Sequence, residues 1–176
     1  MSLVSSTTYR VPAHTAAHVN RQIQEQIEGN LAYFAEHPDE IDHRLEELDR
    51  EWDIERVLEA NAASFSLLGL TLGLTLDRRW LALPVGVAAF LLQHAVQGWC
   101  PPVPIFRRLG IRTVGEIDQE RYALKALRGD FENIAAAEMS PAPARARAAL
   151  AAVRAGTEPG QQRRTAAANP APFESP

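Results

Sequence analysis

From Ala60 to Leu76 the chain runs seventeen residues without a charge, and from Trp80 to Phe106 it runs twenty-seven, with only Asp77, Arg78 and Arg79 between. A helix that crosses hydrocarbon needs about 20 mostly apolar residues, because backbone polar groups in lipid must find partners inside the segment. Two such runs joined by a short charged turn predict a two-helix transmembrane hairpin over residues 57–99. Trp80 and Trp99 stand nineteen residues apart in the second run. At about 1.5 Å per residue that separation is about 28 Å, near the hydrocarbon thickness, and it sets both indoles in the interfacial belts. A soluble bundle with these helices as its core is the competing reading, because the first run holds Asn61, Ser64, Ser66, Thr71 and Thr75. LGLTLGLTL also alternates in the manner of a strand, but RVLEANAASFSLL just before it has a helical composition, and membrane helices tolerate glycine. The reading these signals favour is all-α: a two-helix transmembrane hairpin with flanking cytosolic amphipathic helices.

The flanks divide by composition. Residues 1–19 carry Ser, Thr, Ala and His without period and are expected to form a flexible N-terminal arm. Residues 20–56 are expected to hold acidic cytosolic helices. Ile23, Ile27, Leu31 and Phe34 repeat at helical spacing, His37 and Pro38 break the pattern, and a second stripe follows in Ile41, Leu45, Leu48 and Trp52. Pro38 suits a first helical position, and Asp39 and Glu40 suit the positive end of the helix dipole. In residues 100–131 a proline segment, PPVP, is expected to leave the membrane in extended form before a further cytosolic helix. TVGE reads as a capping box, with Thr113 as cap and Glu116 reaching back. Ile117, Leu124, Leu127 and Phe131 mark that helix's apolar face, Lys125 and Arg128 its last turn, and Gly129 its left-handed stop. Residues 132–176 are low in complexity and expected to be a largely disordered tail, with transient helix over Arg145 to Arg154.

Charge narrows the function. The net charge of −4 argues against nucleic acid as a partner. Glu36 to Glu59 carries eleven acids against three arginines, while Ile105 to Arg128 carries six basic residues against three acids. Arg44, Arg50 and Arg56 precede the first run and Arg107, Arg108 and Arg112 follow the second, against Arg78 and Arg79 in the turn. The positive-inside rule then sets both termini in the cytoplasm.

Few residues suggest chemistry. Cys100 is the single cysteine, so no internal disulfide forms. Standing before two prolines, it is expected at the membrane surface near Arg107 and Arg108, whose charge lowers a thiol pKa. Such a thiol carries persulfide or redox chemistry, serves as a thiolate ligand to a haem or metal, or ends and packs the second helix; no CxxC, histidine pair or neighbouring base supports the first two, and the packing role is favoured. Gln93, His94 and Gln97 form a polar cluster inside the second run and are candidates to line a path, although at the membrane margin such side chains also reach headgroups. Ala62 with Ser66, Gly69 with Gly73, and Ala82 with Gly86 are small pairs four apart, the spacing that brings helix backbones together in lipid, within one hairpin or between copies. No metal or cofactor site and no enzyme activity is expected.

GWCPP at 98–102 and LGIRT at 109–113, placed just after an apolar hairpin, resemble the end of the YgaP-like transmembrane domain, a bacterial inner-membrane family of unknown function; the resemblance covers about residues 50–115. It implies a two-helix hairpin that can dimerise, found alone or fused to a rhodanese domain that handles sulfane sulfur, and it matches Cys100 to the family's cysteine after the second span. The chain departs from that pattern in having no rhodanese domain, an acidic helical extension before the hairpin, and a helix and tail after it. The expected function is therefore a bacterial inner-membrane anchor, dimerisation and interaction module, a homo-dimer or larger homo-oligomer in the lipid bilayer with an unidentified cytosolic protein partner. The alternatives are a thiol-dependent sulfur carrier or redox protein using Cys100 and, more weakly, a small-solute pathway built from several hairpins.

Overall fold

The computed structural model describes residues 10–132, 134 and 141–154, and every regular element among them is helical. In order these are α1 (Arg10–Ala13), α2 (Ala17–Glu36), a 3₁₀ turn (Pro38–Glu40), α3 (Ile41–Arg50), α4 (Ile54–Thr75), a second 3₁₀ turn (Arg78–Leu81), α5 (Ala82–Gln97), α6 (Val103–Arg108), α7 (Val114–Arg128) and α8 (Ala142–Arg154). Two compact units divide the chain: residues up to 29 with 52–119, and residues 30–51 with those from 120 onward.

In the first unit, α4 starts where Asp53 accepts a hydrogen bond from the Arg56 amide at 3.0 Å, a side-chain N-cap. Inside it the side chains of Asn61, Ser64 and Thr71 each donate to the carbonyl four residues back at 2.8 Å, and Thr75 does so at 2.7 Å. The three hydroxyl donors and one N–H of Asn61 therefore find acceptors within their own helix. LGLTLGLTL is helix, not strand. Asp77 caps the turn, and α5 runs back along α4, with Gly73 against Leu81 and Gly69 against Leu83 and Pro84. Gly98, at φ 75°, ends α5 in the left-handed conformation that glycine adopts at least cost.

The chain does not then leave in extended form. Pro102 is the N-cap of α6 and Pro104 lies in its first turn, where a missing N–H would have had no helical partner. Cys100, Val103, Ile54, Leu58 and Val11 form the buried cluster, with Phe106 and Ile111 packed against it. The arm expected over 1–19 is thus corrected from Arg10 onward: α1 docks Val11, 2 % exposed, into the core. Residues 1–9 lie outside the described residues. The capping box forms as read, with the Thr113 amide donating to Glu116 at 2.8 Å and the Glu116 amide donating to Thr113 Oγ1 at 3.3 Å.

In the second unit Ile41, Leu45 and Leu48 of α3 are buried, as is Leu124 of α7. Trp52 does not extend that stripe, because α3 ends at Arg50; it is 49 % exposed and stacks on Arg56 at 4.3 Å within the first unit. Leu127 likewise leaves the apolar face and is exposed. Glu120, fully buried, accepts from Asn30 at 3.0 Å and from Arg44 at 2.8 Å. Gly129 stops α7 at φ 88°. Part of the stretch expected to be tail is ordered: α8 buries Ala152, and Lys125 donates to the Val153 carbonyl at 2.6 Å. Burial of Lys125 lowers its pKa from the ordinary lysine value. The remaining tail, 155–176, lies outside the described residues.

Candidate functional site

The polar chemistry of the first unit gathers where α4 begins and α5 ends. Glu55, in the first turn of α4, takes Arg10 on one oxygen and His94 on the other, each at 2.8 Å. Arg10 also donates to the Ala95 carbonyl at 3.1 Å, near the negative end of the α5 dipole. Its side chain lies against Gly98, where an added Cβ would sit 2.5 Å from the Arg10 Cβ, so glycine is required there for space as well as for φ. His94 Nδ1 is buried without a partner. Nε2 is the ring nitrogen that faces the Glu55 carboxylate, and it donates that bond.

A second pair lies close by. Arg107, 1 % exposed, grips Glu116 with both Nη atoms, at 2.6 and 2.7 Å. It also donates to Asn20 Oδ1 at 3.0 Å, and to Thr15 Oγ1 and the Ile111 carbonyl at 3.2 Å. Desolvation pushes the Glu116 carboxyl up, but the Arg107 fork and the Thr113 amide outweigh it and hold the group below its ordinary value.

Cys100 is corrected by its surroundings. It is not displayed at a surface beside arginines but is 3 % exposed, and burial pushes its thiol pKa up, with the Glu55 charge adding to the rise. The thiol lines an apolar cavity of about 200 Å³ with Leu58, Phe65, Phe90 and Phe106. Such a setting favours the protonated thiol and packing over sulfur transfer. Maleimide labelling of the folded protein at neutral pH is expected to be much slower than labelling of the chain in denaturant. Cys100→Ser is expected to cost about 1–3 kcal/mol, because the Val103 amide that donates to the thiol can still donate to the hydroxyl oxygen but the hydroxyl's own proton faces an apolar wall; the effect is read as a shift in the unfolding midpoint. Equal labelling rates in the two states would contradict this placement.

The other sequence candidates separate. His94 turns inward, Gln93 is half-buried and Gln97 is exposed, so the three do not share one lining. Gly69 and Gly73 are buried in the α4–α5 contact, Ala62 lines the cavity and Ser66 is half-buried. Ala82 is exposed, and a Cβ added at Gly86 would meet open space. Among the described residues no three His, Cys, Asp or Glu side chains converge to hold a metal ion. Arg10, Glu55 and Arg107 were not singled out by sequence reasoning as partners; the one local signal was Glu116 in TVGE. No protein-family profile, curated protein or solved structure matches the chain.

Proposed function

We propose that the chain is a membrane-anchored interaction module of the bacterial inner membrane, in which α4 and α5 cross the bilayer as a hairpin. One observation carries this reading. Two helical stretches, ending at Thr75 and at Gln97, are long and apolar enough to cross a membrane, yet only 17 % and 6 % of their most apolar windows are buried inside the protein. Leu67, Leu74, Val85 and Leu92 are each at least 66 % exposed, which is unfavourable in water and favourable in hydrocarbon. The back-bonded Asn61, Ser64, Thr71 and Thr75 suit the same solvent. Both termini are assigned to the cytoplasm by the arginine distribution, and self-association is assigned to the outward Ala82–Gly86 pair. The similarity of GWCPP and LGIRT to the YgaP-like domain points the same way.

The protein is expected to stay in the membrane fraction after carbonate washing. Leu91→Arg, in the middle of the second run, is expected to impair insertion at a cost of about 3 kcal/mol. Quantitative release of the wild-type protein into the supernatant would refute the reading.

A further inference from the structure

We propose that α6 sits at the membrane surface and docks on acidic phospholipid headgroups through Arg108, with Ile105 and Leu109 entering the lipid beside it. The inference rests on the membrane reading of α4 and α5.

Depth comes first. Val103 of α6 packs with Ile54 and Leu58, in the charged first turns of α4 that end at Glu59. Phe106, one turn on, shares the cavity wall with Ala62 and Phe65, which belong to the uncharged run. The short helix therefore straddles the level at which α4 changes from charged to apolar, which is where a bilayer surface falls if that run is in hydrocarbon.

The faces of α6 then decide what meets the lipid. Val103 and Arg107 are buried. Ile105, Arg108 and Leu109 fall at i, i+3 and i+4 and share the opposite face, where Ile105 is 59 % and Leu109 72 % exposed. Two large apolar side chains flanking an arginine form the pattern of an interfacial helix, apolar groups down and cation at headgroup level.

Charge selects the lipid. The segment from Gly98 to Gly115 contains three arginines and no acid. Arg107 is neutralised by Glu116 and Arg112 is buried, whereas Arg108 is exposed and, among the described residues, engaged by no acid. An unneutralised cation held at headgroup depth favours an anionic surface over a zwitterionic one, by about fivefold for one arginine.

The test uses the full chain with Leu109→Cys in a Cys100→Ser background, labelled with an environment-sensitive fluorophore and reconstituted in phosphatidylcholine vesicles with or without phosphatidylglycerol. Quenching by acrylamide, a neutral aqueous probe, is expected to fall about fivefold in the phosphatidylglycerol vesicles. Lipids carrying a shallow nitroxide are expected to quench the label, and Arg108→Glu to remove the dependence on phosphatidylglycerol. Amide hydrogen exchange over residues 105–110 of the wild-type protein in the same vesicles gives a second readout free of substitutions, with slower exchange expected in phosphatidylglycerol. A label equally open to acrylamide in both vesicles, or equal exchange, overturns the proposal if the protein resists carbonate extraction. Release by carbonate instead overturns the membrane reading, and the inference falls with it.

Discussion

Arg107→Ala is expected to destabilise the first unit by about 3–5 kcal/mol, because it leaves the Glu116 carboxylate half enclosed with no counter-charge. Arg107 is 1 % exposed, and its fork ties Thr15 and Asn20 at the N-terminal side to Glu116 at the start of α7. Arg107→Lys keeps the charge but not the planar fork that meets both carboxylate oxygens and Asn20 together, so it should fall between alanine and wild type. Glu116→Gln keeps an acceptor for the Thr113 amide while deleting the charge, and it separates the cap from the ion pair. Acid dependence follows in sign. The folded pKa of Glu116 lies below its ordinary value of 4.5, so its contribution is complete above that value and is lost as pH falls through the lower folded pKa. The wild-type protein should therefore lose stability on acidification below about pH 4, and Glu116→Gln should show a shallower acid limb. Denaturant or thermal unfolding in micelles measures both effects. An Arg107→Ala midpoint equal to wild type would remove the pair from the account of this fold.

Gly69→Leu is expected to force α4 and α5 apart, at a cost of about 3 kcal/mol. A Cβ at Gly69 would lie 2.6 Å from the Pro84 ring, 3.0 Å from Leu83 Cβ and 3.2 Å from the Trp80 carbonyl oxygen. A proline ring and a backbone oxygen cannot rotate away, so the backbones must move. At Gly73 the closest obstacles are Leu81 Cδ2 and Cγ, at 2.5 and 2.8 Å, and a rotamer change relieves part of the clash. Gly69→Ala should accordingly be the more damaging of the two alanine substitutions. Gly86→Leu is the control, since open space surrounds its Cβ position. It should leave the pairing of the two helices intact and weaken self-association between copies if α5 uses that face. Midpoints from detergent-denaturation titrations, with a cross-linking assay for oligomers, distinguish these outcomes. Equal midpoints for Gly69→Leu and Gly86→Leu would show that the close approach at Gly69 does not hold the pair together.

What was legible in the residues was local. The uncharged runs, the left-handed stop at Gly129, the Thr113–Glu116 box and the stripes of Ile23 with Ile27 and of Ile41, Leu45 and Leu48 all depend on neighbours within a few turns. Spacing and side-chain chemistry suffice for those. The small pair Gly69–Gly73 was legible as a close contact, but its partner was not, since the same spacing serves a helix of this chain or of another copy.

Tertiary structure decided the rest. PPVP by itself predicts an extended segment, because proline cannot continue a helix, yet it sits where a helix starts, and that position depends on how Val103 packs. Cys100 stood near arginines in sequence, but its environment came from Val11, Ile54 and Leu58, which bury it and reverse the direction of its pKa shift. The pairs that organise the site join residues far apart in the chain: His94 to Glu55 across 39 positions, Arg10 to Glu55 across 45 and Arg107 to Asn20 across 87. No periodicity encodes such a meeting. A charged side chain looks the same in sequence whether it faces water or a buried counter-ion, and only the path of the backbone brings the two charges together and excludes the solvent between them.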